Sequence, residues 1–291
     1  VIDLHCHSTA SDGTDSPAEL VTNAYQAGVR TLAITDHDTT EGWDEAAAAV
    51  SELPAPFTLI RGAEFSCVHT GSDGHRISLH LLGYLFDPTS AGLRDERSRL
   101  RQSRLDRGAA MVAALQADGY PISWSQVRQI AGSATVGRPH IGRALQQAGV
   151  VADVDEAFTE LLSHRSRYYR PKQDAPVTRM IELIRQAGGV AVIAHPWARR
   201  RGPALDEQAL TELVEAGMAG IEVDHPDHSP ADRGRLRELA DRLGAIRTGS
   251  SDYHGSHKTV RLGAETTDPR ELERLLAHAH GVEPLHSVGM P

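Results

Sequence analysis

Cysteine is nearly missing from this chain, with Cys6 and Cys67 the only two in 291 residues. Two thiols cannot build a disulfide framework, so the fold must rest on a packed core, and the expected compartment is reducing. Aromatic residues make up only 4%, which leaves no ladder of rings for stacking successive bases and argues against long-strand nucleic-acid binding. No apolar run approaches the roughly 18 residues of a membrane span, and the first residues lack the basic-then-apolar layout of a secretory leader. The expectation is a cytoplasmic protein with no membrane partner. Positive charge is short as well: 30 Lys and Arg stand against 39 Asp and Glu, for a net charge of −9, which disfavours non-specific attachment to a polyanion.

That shortage is uneven. Residues 91–173 hold 13 Lys and Arg against 8 Asp and Glu, a balance of +5 that leaves −14 for the rest. The basic segment is placed to meet an anionic substrate, while the acidic remainder carries most of the 16 histidines and suits bound cations.

Hydrophobic residues, at 40%, are enough for one large core or two ordinary ones. Ser16-Pro17-Ala18-Glu19, Ser229-Pro230-Ala231-Asp232 and Asp268-Pro269-Arg270-Glu271 each offer an N-cap, a proline at the first helical position and an early acid. Between such starts lie short apolar runs that read as buried parallel strands: Thr31 to Thr35, Thr58 to Ile60, Val190 to Ala194, Gly220 to Val223 and Ala245 to Thr248. Gly28, Gly188, Gly217 and Gly244 stand where helices would end. The alternation predicts an α/β barrel. It breaks after Asp87-Pro88, and residues 91–173 read as helices only, so barrel segments 1–90 and 174–291 flank a helical insertion.

Histidine and acid gather at the ends of these strands, where the loops of a parallel barrel open on a common face. His5 and His7 are two apart, which on a strand points both rings to one side. Asp12 follows, then His37 in Thr35-Asp36-His37-Asp38, Glu64 after Ile60, His80 within an apolar run, His195 after Ala194, and Asp252 with His254 after Ser251. Asp36 and Asp38 are placed to orient ligands. His225 and His228 lie at a strand end on the same face, where either could act as general acid or touch substrate. His69, His75, His164 and His257 read as solvated or structural, and His278, His280 and His286 fall in or beyond the last helix.

This pattern resembles the PHP (polymerase and histidinol phosphatase) family of metal-dependent phosphoesterases. The resemblance implies a distorted seven-stranded barrel with an inserted helical subdomain. It also implies nine ligands (His5, His7, Asp12, His37, Glu64, His80, His195, Asp252 and His254) for two to three divalent ions. The implied grouping is His5, His7, Glu64 and Asp252 on one ion, Glu64, His80 and His195 on a second, and Asp12, His37 and His254 on a third. Six imidazoles with three carboxylates suit Zn, Mn or Fe better than Mg or Ca. A bridging Glu64 would let two ions share a hydroxide that attacks phosphorus, with Glu64, His195, Asp252 and His254 nearest the chemistry.

The insertion, with Gly137-Arg138-Pro139-His140, is similar to that of the family's nucleotide- and RNA-directed members. This implies removal of the 3′-phosphate from nucleoside 3′,5′-bisphosphates, with short 5′-phosphorylated RNA as a further substrate. Arg138 and His140 fall at a predicted helix start suited to a phosphate; Lys172 and His228 are further candidate substrate contacts. The arginines from Arg94 to Arg107 read as a solvated helix face, and Arg199-Arg200-Arg201 as a loop that could meet RNA. Competing expectations are a histidinol-phosphate-type phosphomonoesterase, a non-catalytic metal-stabilised module, and a C–N hydrolase of the related amidohydrolase type.

Overall fold

In the computed structural model, which describes residues 1–72, 74–199, 202–256 and 258–287, the apolar runs form the wall of a nearly closed barrel. The first part comprises β1 (Ile2–Cys6), α1 (Pro17–Gln26), β2 (Thr31–Ile34), α2 (Trp43–Ser51), β3 (Thr58–Thr70) and β4 (Arg76–Tyr84). Helices then follow alone: α3 (Ala91–Ala117), α4 (Trp124–Ala131), α5 (Arg138–Gln147) and α6 (Val154–Ala157), the last running into a π turn over Phe158–Leu162. The barrel resumes with β5 (Ala175–Pro176), α7 (Val177–Gln186), β6 (Val190–Ile193), α8 (Glu207–Glu215), β7 (Gly220–Asp224), α9 (Pro230–Leu243), β8 (Ile246–Gly249), α10 (Pro269–His278) and β9 (Leu285–His286). The three proline-marked helix starts all form. In α1, Ser16 Oγ accepts from Glu19 N (3.2 Å) while Glu19 Oε2 accepts from Ser16 N (2.8 Å), a reciprocal cap of the kind that contributes about 1 kcal/mol.

The main strand order is β1-β2-β3-β4-β6-β7-β8, with β5 and β9 pairing beside β3. Two strands depart from the all-parallel expectation: β4 runs antiparallel to both β3 and β6, and the short β9 runs antiparallel to β3. The Thr58–Ile60 run continues to Thr70 and returns through a turn closed by Gly74 N to Gly71 O (2.9 Å). Without a crossover helix the return must be antiparallel. The barrel's ends meet where His7 N donates to Tyr253 O (2.8 Å), and Tyr84 Oη donates across the interior to Leu4 O (2.8 Å).

Adjacent strand residues fall into opposite cores, as a period of two requires. Leu4, Ala33, Ile60, Leu82 and Val192 fill the barrel; Leu32, Leu59 and Ile193 pack outward against the helices. The helical segment buries a third cluster, including Met111, Leu115, Val127, Ile141 and Leu145. Helix α3 joins the layers, with Leu93 and Leu100 in the barrel's outer core and Met111 and Leu115 in the helical one. Among the described residues no helix is long and apolar enough to cross a membrane.

Candidate metal centre

The loop after β1 is shaped by one carboxylate. Asp36 accepts from Ser8 N (2.8 Å), Ser8 Oγ (2.7 Å) and Ser11 Oγ (2.6 Å), which turns the chain back over His7. At Gly13 a Cβ would lie 2.5 Å from His7 O, so only glycine permits the return that brings Asp12 Oδ1 to 3.9 Å from His7 Nδ1. After β2, His37 forms a parallel bridge to Glu64. Glu64 lies beyond the last β3 residue paired with β2, yet still inside the β3–β4 ladder opposite Leu82. It is therefore within a strand and not at a strand end, because β3 runs past the barrel rim.

Backbone strain concentrates here. Among the described residues, four non-glycines have positive φ, and three of them are Asp38 (54°), His195 (30°) and Asp252 (53°). Such conformations cost on the order of 1–3 kcal/mol each and persist where surrounding contacts over-determine them. Asp38 shows how: its carboxylate accepts from Ser66 N (2.7 Å), Ser66 Oγ (2.8 Å) and Arg104 Nε (2.5 Å).

All nine residues implied as ligands converge. His5 Nε2 and His7 Nε2 are 3.1 Å apart, and each lies 3.2–3.4 Å from Glu64 Oε2 and Asp252 Oδ1. The other Glu64 oxygen faces His80 Nδ1 (2.8 Å) and His195 Nε2 (3.0 Å). Asp12 faces His254 Nε2 (3.5 Å) and His37 Nε2 (3.7 Å). Three sets of ligand atoms each lie within 4.8 Å: His7, Asp12, His37 and His254; His5, His7 and Glu64; and His37, Glu64 and His80. His7 thus reaches the Asp12 side and His37 reaches the Glu64 side, so the geometric groups overlap more than the grouping implied by resemblance.

The donor set fits divalent metal. His37 Nδ1 is buried 3.0 Å from Glu64 Oε2 without hydrogen-bond geometry to it, as expected when two lone pairs aim at a shared point rather than at each other. So many buried carboxylates and imidazoles need compensating charge. Burial works to raise the carboxyl pKa of Glu64 and Asp12, yet the surrounding imidazoles hold both well below the usual range. Burial works to lower His7, and Asp252 and Glu64 instead raise it to about 9.

Residues that sequence reading missed complete the site. Glu222 Oε1 lies 3.0 Å from His5 Nδ1, and its Oε2 accepts from His195 N (2.7 Å), so one carboxylate orients two candidate ligands. Burial works against its charge, but His5 brings its pKa down to about 2. The signal available was an acid in the middle of an apolar strand. Lys258 Nζ lies 3.0 Å from His254 Nδ1 and 3.3 Å from Asp252 Oδ2; nothing in the sequence marks it. Of the pair after β7, His225 faces the cluster, its Nε2 3.5 Å from Asp252 Oδ2. His228, expected from sequence as a substrate contact, meets backbone at both ring nitrogens: Val223 O engages its Nδ1 (2.8 Å) and Trp197 N donates to its Nε2 (3.2 Å).

The insertion brings its own charges to the rim. Arg138, the first residue of α5, donates to Leu162 O (2.8 Å) and stacks over Phe158 and Tyr169. His140 is not the cation expected at this helix start: burial lowers its pKa and its Nδ1 accepts from Gly137 N (3.0 Å), so it caps the turn as a neutral ring. Arg104, Arg107 and Arg138 line a cleft between α3 and α5 with no acid among its lining residues. Lys172 is buried nearby, 2.6 Å from Ser66 Oγ and 3.1 Å from Asp174 Oδ1. Burial, with Arg104 beside it, lowers its pKa to about 8. His257, Arg200 and Arg201 lie outside the described residues.

The model of the PHP domain matches residues 3–161. A 3′,5′-nucleoside bisphosphate phosphatase of Chromobacterium violaceum is 34% identical over 268 residues, covering 92% of either chain. The chain belongs to the PHP domain family. It is a hydrolase of the metal-dependent phosphoesterase class. A 5′-3′ exoribonuclease, Rnm, of Salmonella typhimurium is 30% identical, covering 94% of this chain and 92% of that one. Among solved structures, a Bifidobacterium adolescentis protein assigned as a metal-dependent phosphoesterase superposes with a TM-score of 0.89 at 35% identity over 96% of each chain. A Chromobacterium violaceum structure described as an amidohydrolase, with bound sulfate and no metal, gives 0.82 at 32% identity over 96% of this chain and 97% of that one.

Proposed function

We propose that this PHP protein hydrolyses the 3′-phosphate of nucleoside 3′,5′-bisphosphates and, by the same chemistry, phosphodiesters of short 5′-phosphorylated RNA. One observation carries the reading: the acid-free arginine cleft adjoins the candidate metal centre. A Cβ on Gly137, which lines the cleft, would lie 3.6 Å from Asp12 Oδ2. A cluster of guanidinium groups beside the candidate metal centre suits a substrate with two phosphates. A phosphomonoester without a nucleotide, such as histidinol phosphate, would leave the cleft idle, as would a carbonyl substrate of the amidohydrolase type.

Two to three divalent ions of the Mn, Fe or Zn type, held by the nine converging residues, would supply Lewis-acid charge to the phosphate and to the attacking water. The chain's part is positioning. Glu64 presents its two oxygens to different imidazoles and, with His195, Asp252 and His254, would be among the residues that hold the ions next to the reacting group. Glu222 fixes the ring of His5, leaving its Nε2 toward the cluster. Arg104, Arg107, Arg138 and Lys172 would hold the second phosphate with charge-assisted hydrogen bonds. The new bond is from water oxygen to phosphorus, the bond broken is from phosphorus to the ribose 3′-oxygen, and that oxygen leaves with a proton. Buried free thiols suit a reducing compartment, and we place the protein in the cytoplasm.

The test is incubation of Mn-loaded protein with adenosine 3′,5′-bisphosphate, beside a His80→Ala control. The expected products are 5′-AMP and phosphate, lost in the variant. No turnover by the metal-loaded protein would reject the bisphosphate as substrate.

A further inference from the structure

A second groove of about 200 Å³ runs between Asp38–Glu41 and α3. Thr39, Thr40 and Glu41 line one wall and Arg94, Arg97 and Arg101 the other, with Asp38 at the inner end. These arginines, with Arg104 beyond them, follow a spacing of three, four and three residues, which puts them on one helix face. From Arg94 to Arg101, short of the buried Arg104, the stripe covers about 10 Å at 1.5 Å per residue, long enough for two successive backbone phosphates. Its inner end is the Arg104–Asp38 pair, and Asp38 is one residue from His37.

The stripe carries more positive charge than its surroundings neutralise. Of the two acids that line the groove, Asp38 is taken by Arg104 and Glu41 pairs with Arg101, whereas Arg94 reaches Asp95 at 3.4 Å on the helix itself. Arg97 is held by Thr40 Oγ1 and Pro88 O, yet its Nε is buried without a hydrogen-bond acceptor. Burial, and the charges of Arg101 and Arg94 beside it, lower its pKa. A face of crowded guanidinium groups gains from an anion of matching length. No aromatic residue lines the groove, so such a ligand would be gripped by its backbone, without base readout.

We propose that the arginine groove along α3 binds the ribose-phosphate backbone of a single-stranded oligoribonucleotide beyond the nucleotide at the metal centre, and so separates short RNA from free bisphosphate as a substrate. This rests on the nucleotide phosphoesterase reading above.

The experiment compares Mn-loaded wild type, Arg94→Ala/Arg101→Ala and Glu41→Gln on adenosine 3′,5′-bisphosphate and on 5′-phosphorylated oligoadenylates of increasing length. For wild type, KM falls as the oligomer lengthens. The double variant raises KM for the longer oligomers about tenfold, reduces the slope of log KM against log salt by about 1.4 for two lost cations, and keeps kcat/KM on the bisphosphate within about twofold. Glu41→Gln, which keeps every arginine, lowers KM for the oligomers. Turnover of the bisphosphate with no length dependence, or an equal loss on both substrates in the double variant, overturns the groove alone. Absence of turnover of any nucleotide by wild type removes the underlying reading and the groove assignment with it.

Discussion

Arg104 and Asp38 meet at the seam between the helical insertion and the barrel, Nε to Oδ2 at 2.5 Å, with side chains only 7% and 0% exposed. The guanidinium also reaches Ser66 Oγ (2.8 Å), which in turn meets Lys172 Nζ (2.6 Å). One buried ion pair thus fixes three things: the strained backbone beside His37, the base of the β3–β4 hairpin, and the inner half of α3.

Removing one member of this pair strands the other charge in the interior. Arg104→Met is expected to destabilise by about 3 kcal/mol or more, while Arg104→Met/Asp38→Asn recovers a large part of that loss. Urea denaturation of the two variants checks it; equal stability of the single and double variants would contradict the pairing.

The same pair sets an acid response. Burial works to raise the pKa of Asp38, but Arg104 and Lys172 bring it to about 2, below the ordinary value of 3.8. A carboxylate with a depressed folded pKa contributes stability above its unfolded pKa and loses it as pH falls through the folded one. The contribution is about 2 kcal/mol, lost between pH 4 and 2 on the ordinary and folded values. Denaturation midpoints over that interval should flatten in Asp38→Asn.

Glu222→Gln tests the orientation of His5 and His195. Losing such a support typically weakens metal binding about 10- to 100-fold, read by Mn titration or Zn competition. Unchanged metal affinity would mean that the rings are held by packing alone.

Lys172 predicts a limb on the alkaline side. Its pKa of about 8 leaves it charged below that pH and neutral above, so kcat/KM on a bisphosphate should fall as pH rises through 8. Lys172→Arg should move the limb upward, and Lys172→Met should lower kcat/KM about tenfold and abolish the limb.

Chelation should destabilise the protein, since the converging carboxylates and imidazoles would lose their compensating charge. Restoring Mn or Zn at a hundredfold excess over Kd should return about 2.7 kcal/mol of stability, seen as a rise in Tm by calorimetry. A Tm indifferent to chelator and to added metal would argue against a metal centre.

The barrel alternation was legible because proline-marked caps, glycine helix ends and short apolar runs all pointed one way. The antiparallel β4 was not, since Ile77 to Leu82 read only as an apolar run around His80, without revealing that a turn closed by Gly74 N on Gly71 O, and no helix, precedes it. Candidate ligands stood out as histidines and acids at strand ends. Glu222 did not, because its importance comes from His5, 217 residues away in sequence, which only the closed barrel brings near; Lys258 did not either, because nothing in the loop sequence reveals that the chain folds its ammonium back onto His254 four residues earlier. The partners of His228 were equally hidden, since Trp197 N, which meets its Nε2, is 31 residues away in sequence.

Asp3 accepts from Ser251 N (3.0 Å) and Gly263 N (2.8 Å), tying the first strand to the last ligand loop. During translation His5, His7 and Asp12 leave the ribosome long before Asp252 and His254, and β1 has to wait for β8 before this seam can form. Closing a loop of such length is entropically slow to reward. A nascent chain would therefore bring together only part of the candidate ligand set, and the set becomes complete only late in folding.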